Sequence, residues 1–263
     1  MSTAGTRLLR LPASGALLVA ADLRGNLRDF EQVLTRFAAL GDTAHLLLLG
    51  NLVHGPYLPP AQFPASLGRY YRDESPAILL KLLLLQERAP GRVHVLLGNH
   101  EYAHLGGPRT SRFAEDEAEA LRARLGREAA EHVEGMMARL PLWALAPCGL
   151  LLCHAAPRCS LTRLEDLERW TLADRERVGP LLWSPPLQPA ALRPLLLLAG
   201  VNGVVYGHEA VRGTELIGTE QLVLASSFTQ LDEDKRVLLL DLAARYPSAA
   251  ALHAGREVLP LYE

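Results

Sequence analysis

Residues 94–102 read HVLLGNHEY, an apolar run closed by Gly98 and followed at once by Asn99, His100 and Glu101. Short apolar runs bounded by glycine suit strands buried on both faces. Three ligand-capable side chains directly behind one suit a sheet that carries its chemistry at the carboxyl ends of its strands. Working outward, the pattern repeats. Leu17 to Ala21 is apolar and is followed by Asp22-Leu-Arg-Gly-Asn; Leu46 to Leu49 leads into GNLVHGPYLPP; Leu150 to Cys153 ends at His154; Val204 to Tyr206 ends at Gly207-His208. Between these runs, residues 27–40 place Leu27, Phe30, Val33, Leu34 and Phe37 on one helical face, with Gly41 as the stop. Residues 75–88 predict a second helix with Ser75 as N-cap and Pro76 in the first turn. QLVLASS and RVLLLDL read as strands of a second sheet, and the charged stretch from Ala114 to Leu140 as a solvated helical cap. The alternation predicts one layered α/β domain over residues 1–263.

The totals narrow the function. At 263 residues, 49% hydrophobic and a formal net charge of −2, the chain has enough apolar material for a substantial core. It lacks the basic footprint of a nucleic-acid or anionic-membrane binder. The leading residues are broken by Pro12 and Gly15 before a signal-peptide core is long enough, and no apolar run approaches the ~18 residues of a membrane span. Cys148, Cys153 and Cys159 stand in no metal-binding spacing and are expected as reduced thiols in a cytoplasmic protein.

Five loops then follow an apolar strand and open on a polar, metal-competent residue: Asp22, Asn51, Asn99-His100-Glu101, His154 and Gly207-His208. Core packing does not require such a series. The order D-x-x-G-N, G-N-L-V-x-G-P, G-N-H-E, C-H and Y-G-H-E resembles the calcineurin-type metallophosphoesterases, over roughly residues 16–230. It is most similar to the phosphoprotein phosphatases that act on phosphoserine and phosphothreonine. The surrounding text, "ARLPLWALAPCGLLLCHAAP" and "LLWSPP" among it, tracks that family. The resemblance implies a metallophosphatase-type β-sandwich flanked by helices on both outer faces. It also implies a dinuclear centre at one edge, where two divalent ions about 3.5–4 Å apart polarise the phosphoryl group and generate a hydroxide.

Carried over position by position, the implied site is lopsided. One metal takes the GNHE asparagine and two later histidines, here Asn99, His154 and His208. The GNHE histidine, His100, is the implied general acid, with Glu101 beside it. The other metal takes Asp22, but the family's histidine is replaced by Arg24, and the aspartate that bridges both metals by Asn51. Past Asn51 the family reads G-D-x-V-D-R-G where this chain has Val53-His54-Gly55. The aspartate that orients the acid and an arginine that holds phosphate are therefore missing, with His54 alone in their place. The segment carrying a second phosphate-binding arginine is absent after LLWSPP.

Charge arithmetic sets the expectation. Arginine has no lone pair to offer a metal and stays protonated, so Arg24 is expected to pair with Asp22 in the first metal's place. At most one divalent ion (Mn, Zn or Fe) is expected, at Asn99, His154 and His208, with Asn51 nearby. Arg24 is also the candidate phosphate ligand, because a guanidinium fits phosphate in bidentate fashion. Two functions follow: a pseudophosphatase that binds a protein or phosphoprotein partner with little hydrolysis, or a weak mononuclear phosphoesterase using His100 as acid. The first is preferred. No nucleic acid or membrane is expected, and the oligomeric state is left open.

Overall fold

The computed structural model describes residues 6–263. Two sheets lie face to face. The first runs β11 (Val258–Pro260), β10 (Arg236–Asp241), β2 (Ala16–Ala20), β3 (His45–Leu48) and β4 (Val93–Val95), with β2, β3 and β4 mutually parallel. The second runs β1 (Leu8–Arg10), β5 (Trp143–Ala146), β6 (Leu150–Cys153), β7 (Gly203–Tyr206), β9 (Gln221–Leu224) and β8 (Thr214–Ile217).

The apolar strand runs are continuous because both faces of each sheet are covered. Leu17, Val19, Leu47 and Leu49 of one sheet meet Leu150, Leu152, Val205 and Leu222 of the other in an inner core. The alternate residues, Leu18, Leu46 and Leu48, pack outward with Phe30 and Val33 of α1 (Leu27–Ala39) and Ile78 and Leu82 of α2 (Ser75–Arg88). Across the second sheet, Leu151, Val204 and Val223 belong with Val178 of α6 (Arg175–Trp183) and Leu192 of α7 (Pro189–Ala199). The expected sandwich with helices on both outer faces is the one observed. Among the described residues, no helix is long and apolar enough to cross a membrane.

Three local expectations are corrected. RVLLLDL does not extend the second sheet: as β10 it pairs antiparallel with β2 in the first, with Leu239 opposite Leu18. Ser75 is not the N-cap of α2. Glu74 occupies that place, and the Ser75 hydroxyl instead donates to Asp73 Oδ1 at 2.5 Å and accepts the His54 N–H. The charged stretch is helical, as α4 (Glu117–Leu125) and α5 (Arg127–Met137) with Gly126 between them at φ +76°, but it is not solvated throughout. One of its acids, Glu117, is buried.

The sandwich places the ends of β2, β3, β4, β6 and β7 along one edge. Approach between two of these loops is limited by glycine. A Cβ on Gly98 would lie 2.5 Å from the backbone nitrogen of Asn51, and one on Gly50 2.6 Å from that of Gly98. The β3 and β4 loops can touch only because neither residue has a side chain. The following short helix, α3 (Asn99–Ala103), then aims Asn99 and His100 at the same edge.

Candidate active site

Asp22, Arg24, Asn51, Asn99, His100 and His208 line one cleft of about 300 Å³, together with Arg112, Glu117, Phe228 and Thr229. Its backbone is strained. Asp22, Arg24, Asn51, His54, His208 and Thr229 are the non-glycine residues at positive φ among the described residues, between 46° and 67°. Side chains other than glycine enter that region at a cost of order 1 kcal/mol or more each, and such residues gather at functional sites.

Asn51 works as a hydrogen-bonded linker. Its Nδ2 donates to Asp22 Oδ1 at 2.8 Å and its Oδ1 accepts the His100 N–H at 3.1 Å. The other Asp22 oxygen accepts the His208 N–H at 2.7 Å. An amide can donate and accept where a carboxylate could only accept, so the residue that cannot bridge two cations instead ties three loops together. Glu101 does similar work. Its carboxylate accepts the N–H groups of Asn51, Leu52 and Gly98 at 2.8, 2.7 and 3.1 Å. Burial pushes its pKa up while those bonds oppose the shift. With both oxygens engaged, it positions the loops rather than facing the cleft.

Two neighbouring metal positions fare differently. His154 donates from Nδ1 to the carbonyl of Leu49 at 2.8 Å, which leaves Nε2 as a lone pair. That lone pair faces Asn99 Oδ1 at 3.0 Å and His208 Nδ1 at 3.2 Å. Two acceptors, His154 Nε2 and Asn99 Oδ1, converge with no proton between them, as ligands of a cation do. Burial lowers the pKa of His208 and takes that of His154 down to about 4, so both rings are neutral, the form that binds metal. Asn99, His154 and His208 therefore fit one divalent ion.

The other position does not fit. Arg24 is buried there, but not as expected: it makes no ion pair with Asp22. Its Nη1 contacts His100 Nε2, its Nε donates to the carbonyl of His54 at 3.2 Å, and its guanidinium lies 4.4 Å from the centre of the Phe228 ring. Burial lowers the Arg24 pKa while Asp22 and Glu117 raise it. The left-handed turn at Arg24 (φ +46°) sends the side chain toward the GNHE helix instead of back to Asp22.

That contact sets the protons on the histidines. A guanidinium only donates, so His100 Nε2 accepts and the ring proton sits on Nδ1. His100 Nδ1 lies 3.0 Å from His54 Nδ1, and His54 Nε2 lies 2.9 Å from His104 Nε2. The donors thus point one way, from Arg24 through His100 and His54 to His104. Burial, reinforced by neighbouring positive groups, holds His100 and His54 well below the usual histidine range. Beside them Glu117 sends Oε1 to the Phe113 N–H, while its buried Oε2 has no hydrogen-bond partner.

Five of the expected loops are therefore gathered, with Asp22, Arg24, Asn51, Asn99, His100, His154 and His208 at one edge and Glu101 behind it. Sequence reasoning passed over Arg112 and Phe228 and took Glu117 only as one acid of the solvated helical cap. Arg112 lies 4.8 Å from the Phe228 ring centre and brings a second guanidinium to the cleft. No spacing relative to the five loops marks it. Just before α2, Asp73 is buried, accepts the Gly55 N–H at 3.0 Å and pairs with Arg124.

A family model described as calcineurin-like phosphoesterase matches residues 16–212. Solved structures share the fold at low identity. A protein serine/threonine phosphatase from Saccharomyces cerevisiae, with similarity to human phosphatase PP5, is 15% identical; it superposes with a TM-score of 0.63 over 89% of this chain and 76% of its own. A cold-active protein-tyrosine phosphatase of a psychrophilic Shewanella species is also 15% identical, with a TM-score of 0.59 over 92% of this chain and 79% of its own. No curated protein sequence is significantly similar to the chain.

Proposed function

Because this chain belongs to the calcineurin-like phosphoesterase family, we propose that it has kept the family's phosphoryl-recognising cleft while losing most of its hydrolysis. In this reading it is a pseudophosphatase that binds a protein partner through a phosphorylated serine or threonine. The observation that carries it is the contact from Arg24 to His100 Nε2. A general acid must present a proton to the leaving oxygen. With a guanidinium donating into Nε2, that atom has no proton to give. The same arginine stands where the family has a histidine ligand of one metal and offers no lone pair, which works against the arrangement of two ions about 3.5–4 Å apart. Phosphoryl transfer depends almost entirely on positioning and charge stabilisation, and both are reduced here.

Recognition is supported separately. Arg24 and Arg112 both approach Phe228 at the cleft, and guanidinium groups match phosphate oxygens in pairs. The similar solved structures are phosphatases for hydroxyl side chains of proteins, which is consistent with a phosphoprotein ligand. A second reading, a mononuclear phosphoesterase, is favoured by one observation: the converging acceptors of Asn99, His154 and His208. A divalent ion held there would supply Lewis acidity and a bound hydroxide.

The test is binding of a phosphoserine peptide and of its unphosphorylated twin, with phosphate release followed in the presence of manganese. Selective binding without release, weakened by Arg112→Ala, is the expected result. Phosphate release that disappears in both His100→Ala and His208→Ala would give the mononuclear enzyme instead.

A further inference from the structure

We propose a metal site distinct from the family's dinuclear position, formed by His54 Nδ1, His100 Nδ1 and Glu117 Oε2. The three atoms come from the loop after β3, from α3 and from the first residue of α4, and stand 3.0, 3.6 and 3.9 Å apart. A point equidistant from all three lies about 2 Å from each, the length of zinc bonds to imidazole and carboxylate (about 2.0–2.2 Å). The cluster is buried throughout.

An independent observation points to a cation there. Glu117 Oε2 is buried and has no hydrogen-bond partner, although its residue is only 3% exposed and its other oxygen is anchored on Phe113. A carboxylate oxygen left bare inside a protein costs on the order of 1–3 kcal/mol; a metal ion would satisfy it. The rest of the surroundings is what a bound metal needs. His54 turns its far nitrogen, Nε2, to His104 at 2.9 Å, which fixes the ring with Nδ1 toward the gap. Two imidazoles and one carboxylate, with a fourth position left for water, form a donor set that zinc accepts readily.

Binding has a consequence for the neighbouring cleft. Once Nδ1 of His100 holds zinc, the single ring proton moves to Nε2, where it opposes the Arg24 N–H. Zinc and the Arg24–His100 contact therefore exclude one another. The site is a place where metal availability would release Arg24 toward the cleft.

Crystals of the full chain grown with zinc chloride test this without any substitution, by diffraction on both sides of the zinc absorption edge. An anomalous peak among His54, His100 and Glu117 is expected. A peak confined to the neighbourhood of His154 and His208, or none, overturns the proposal. In solution, zinc affinity measured against a chromophoric chelator should fall at least about tenfold in Glu117→Gln and His54→Ala. This zinc should remain in His208→Ala, which removes a ligand of the family position. Retention in the first two variants, or loss in the third, also overturns it. Neither readout depends on phosphopeptide binding, so failure of the functional reading would be seen separately.

Discussion

Arg24 and Asn51 decide what the metal edge can do. Asn51 Nδ2 and Asp22 Oδ1 are 2.8 Å apart. In Asn51→Asp that hydrogen bond becomes a contact between two carboxylates, costing about 1–3 kcal/mol in the absence of metal. The variant should melt several degrees below the parent in chelator and recover with manganese; equal melting in both conditions would count against the charge argument. The double variant Arg24→His/Asn51→Asp restores the family's histidine and aspartate, removing a cation and adding an anion beside Asp22. It is expected to carry one more manganese per chain than the parent by elemental analysis and to hydrolyse p-nitrophenyl phosphate. Unchanged metal content would show that something other than these two side chains excludes the ion. His100 illustrates how far the sequence reaches at this scale. Its motif was plain, but the proton that determines its chemistry follows from a neighbour 76 positions away.

At the scale of elements, the loops are held by backbone contacts as much as by side chains. Glu101, on the short helix α3, accepts N–H groups from the β3 loop and from the turn before its own helix. Glu101→Gln would turn an N–H toward one of those donors. A loss of about 2–3 kcal/mol in urea unfolding is expected, with weakened phosphopeptide binding because Asn51 is no longer fixed. A loss in binding without loss of stability would instead make Glu101 a direct participant. β2, β3, β4, β6, β7, β9 and β10 and helices α1 and α2 were legible because period and punctuation report them, whereas β1, β5, β8, β11, α3, α6 and α7 were not read from the sequence. α4 and α5 were legible only as charged helical sequence. Glu117 is one acid among several in that stretch, and no local pattern separates the buried one from its exposed neighbours. Its burial comes from docking of α4 against the loops of β3 and β4.

Across the whole molecule, a buried ionic cluster joins distant segments behind the cleft. Lys235, 2% exposed, lies 2.9 Å from Asp29 on α1 and 2.8 Å from Asp232. Asp29 also accepts from Ser227 at 2.5 Å, next to Phe228, and from Tyr262 at 2.6 Å. Lys235→Met would leave Asp29 buried without its cation and should destabilise the protein by about 3–5 kcal/mol. A change under about 1 kcal/mol would show that the tyrosine and serine suffice. The cluster also predicts an acid limb. Burial raises the Asp232 pKa, but bonds from Lys235 and Arg28 outweigh it and hold the carboxyl at about 2. A carboxyl depressed in the folded state stabilises above its unfolded value near 4 and loses that contribution as pH falls toward 2. Stability should therefore drop by up to about 2 kcal/mol across that window, and the drop should be smaller in Asp232→Asn. An identical acid limb in both proteins would place the titration elsewhere.

The sequence by itself determined a layered α/β fold, the edge at which the loops meet and the identity of most residues there; the sandwich was implied by the family resemblance. Continuous apolar runs can be buried only between layers, and a polar residue at the end of each run has nowhere to go but the rim. It also set the expectation that one metal position is compromised, since an arginine has no lone pair to offer a metal. Only the tertiary structure decided where that arginine turns, which oxygen of which acid is left without a partner, and that His54, His100 and Glu117 meet. Those outcomes depend on distances between segments far apart in the chain. Such distances are set by the packing of helices and loops onto the two sheets, and no local spacing records them.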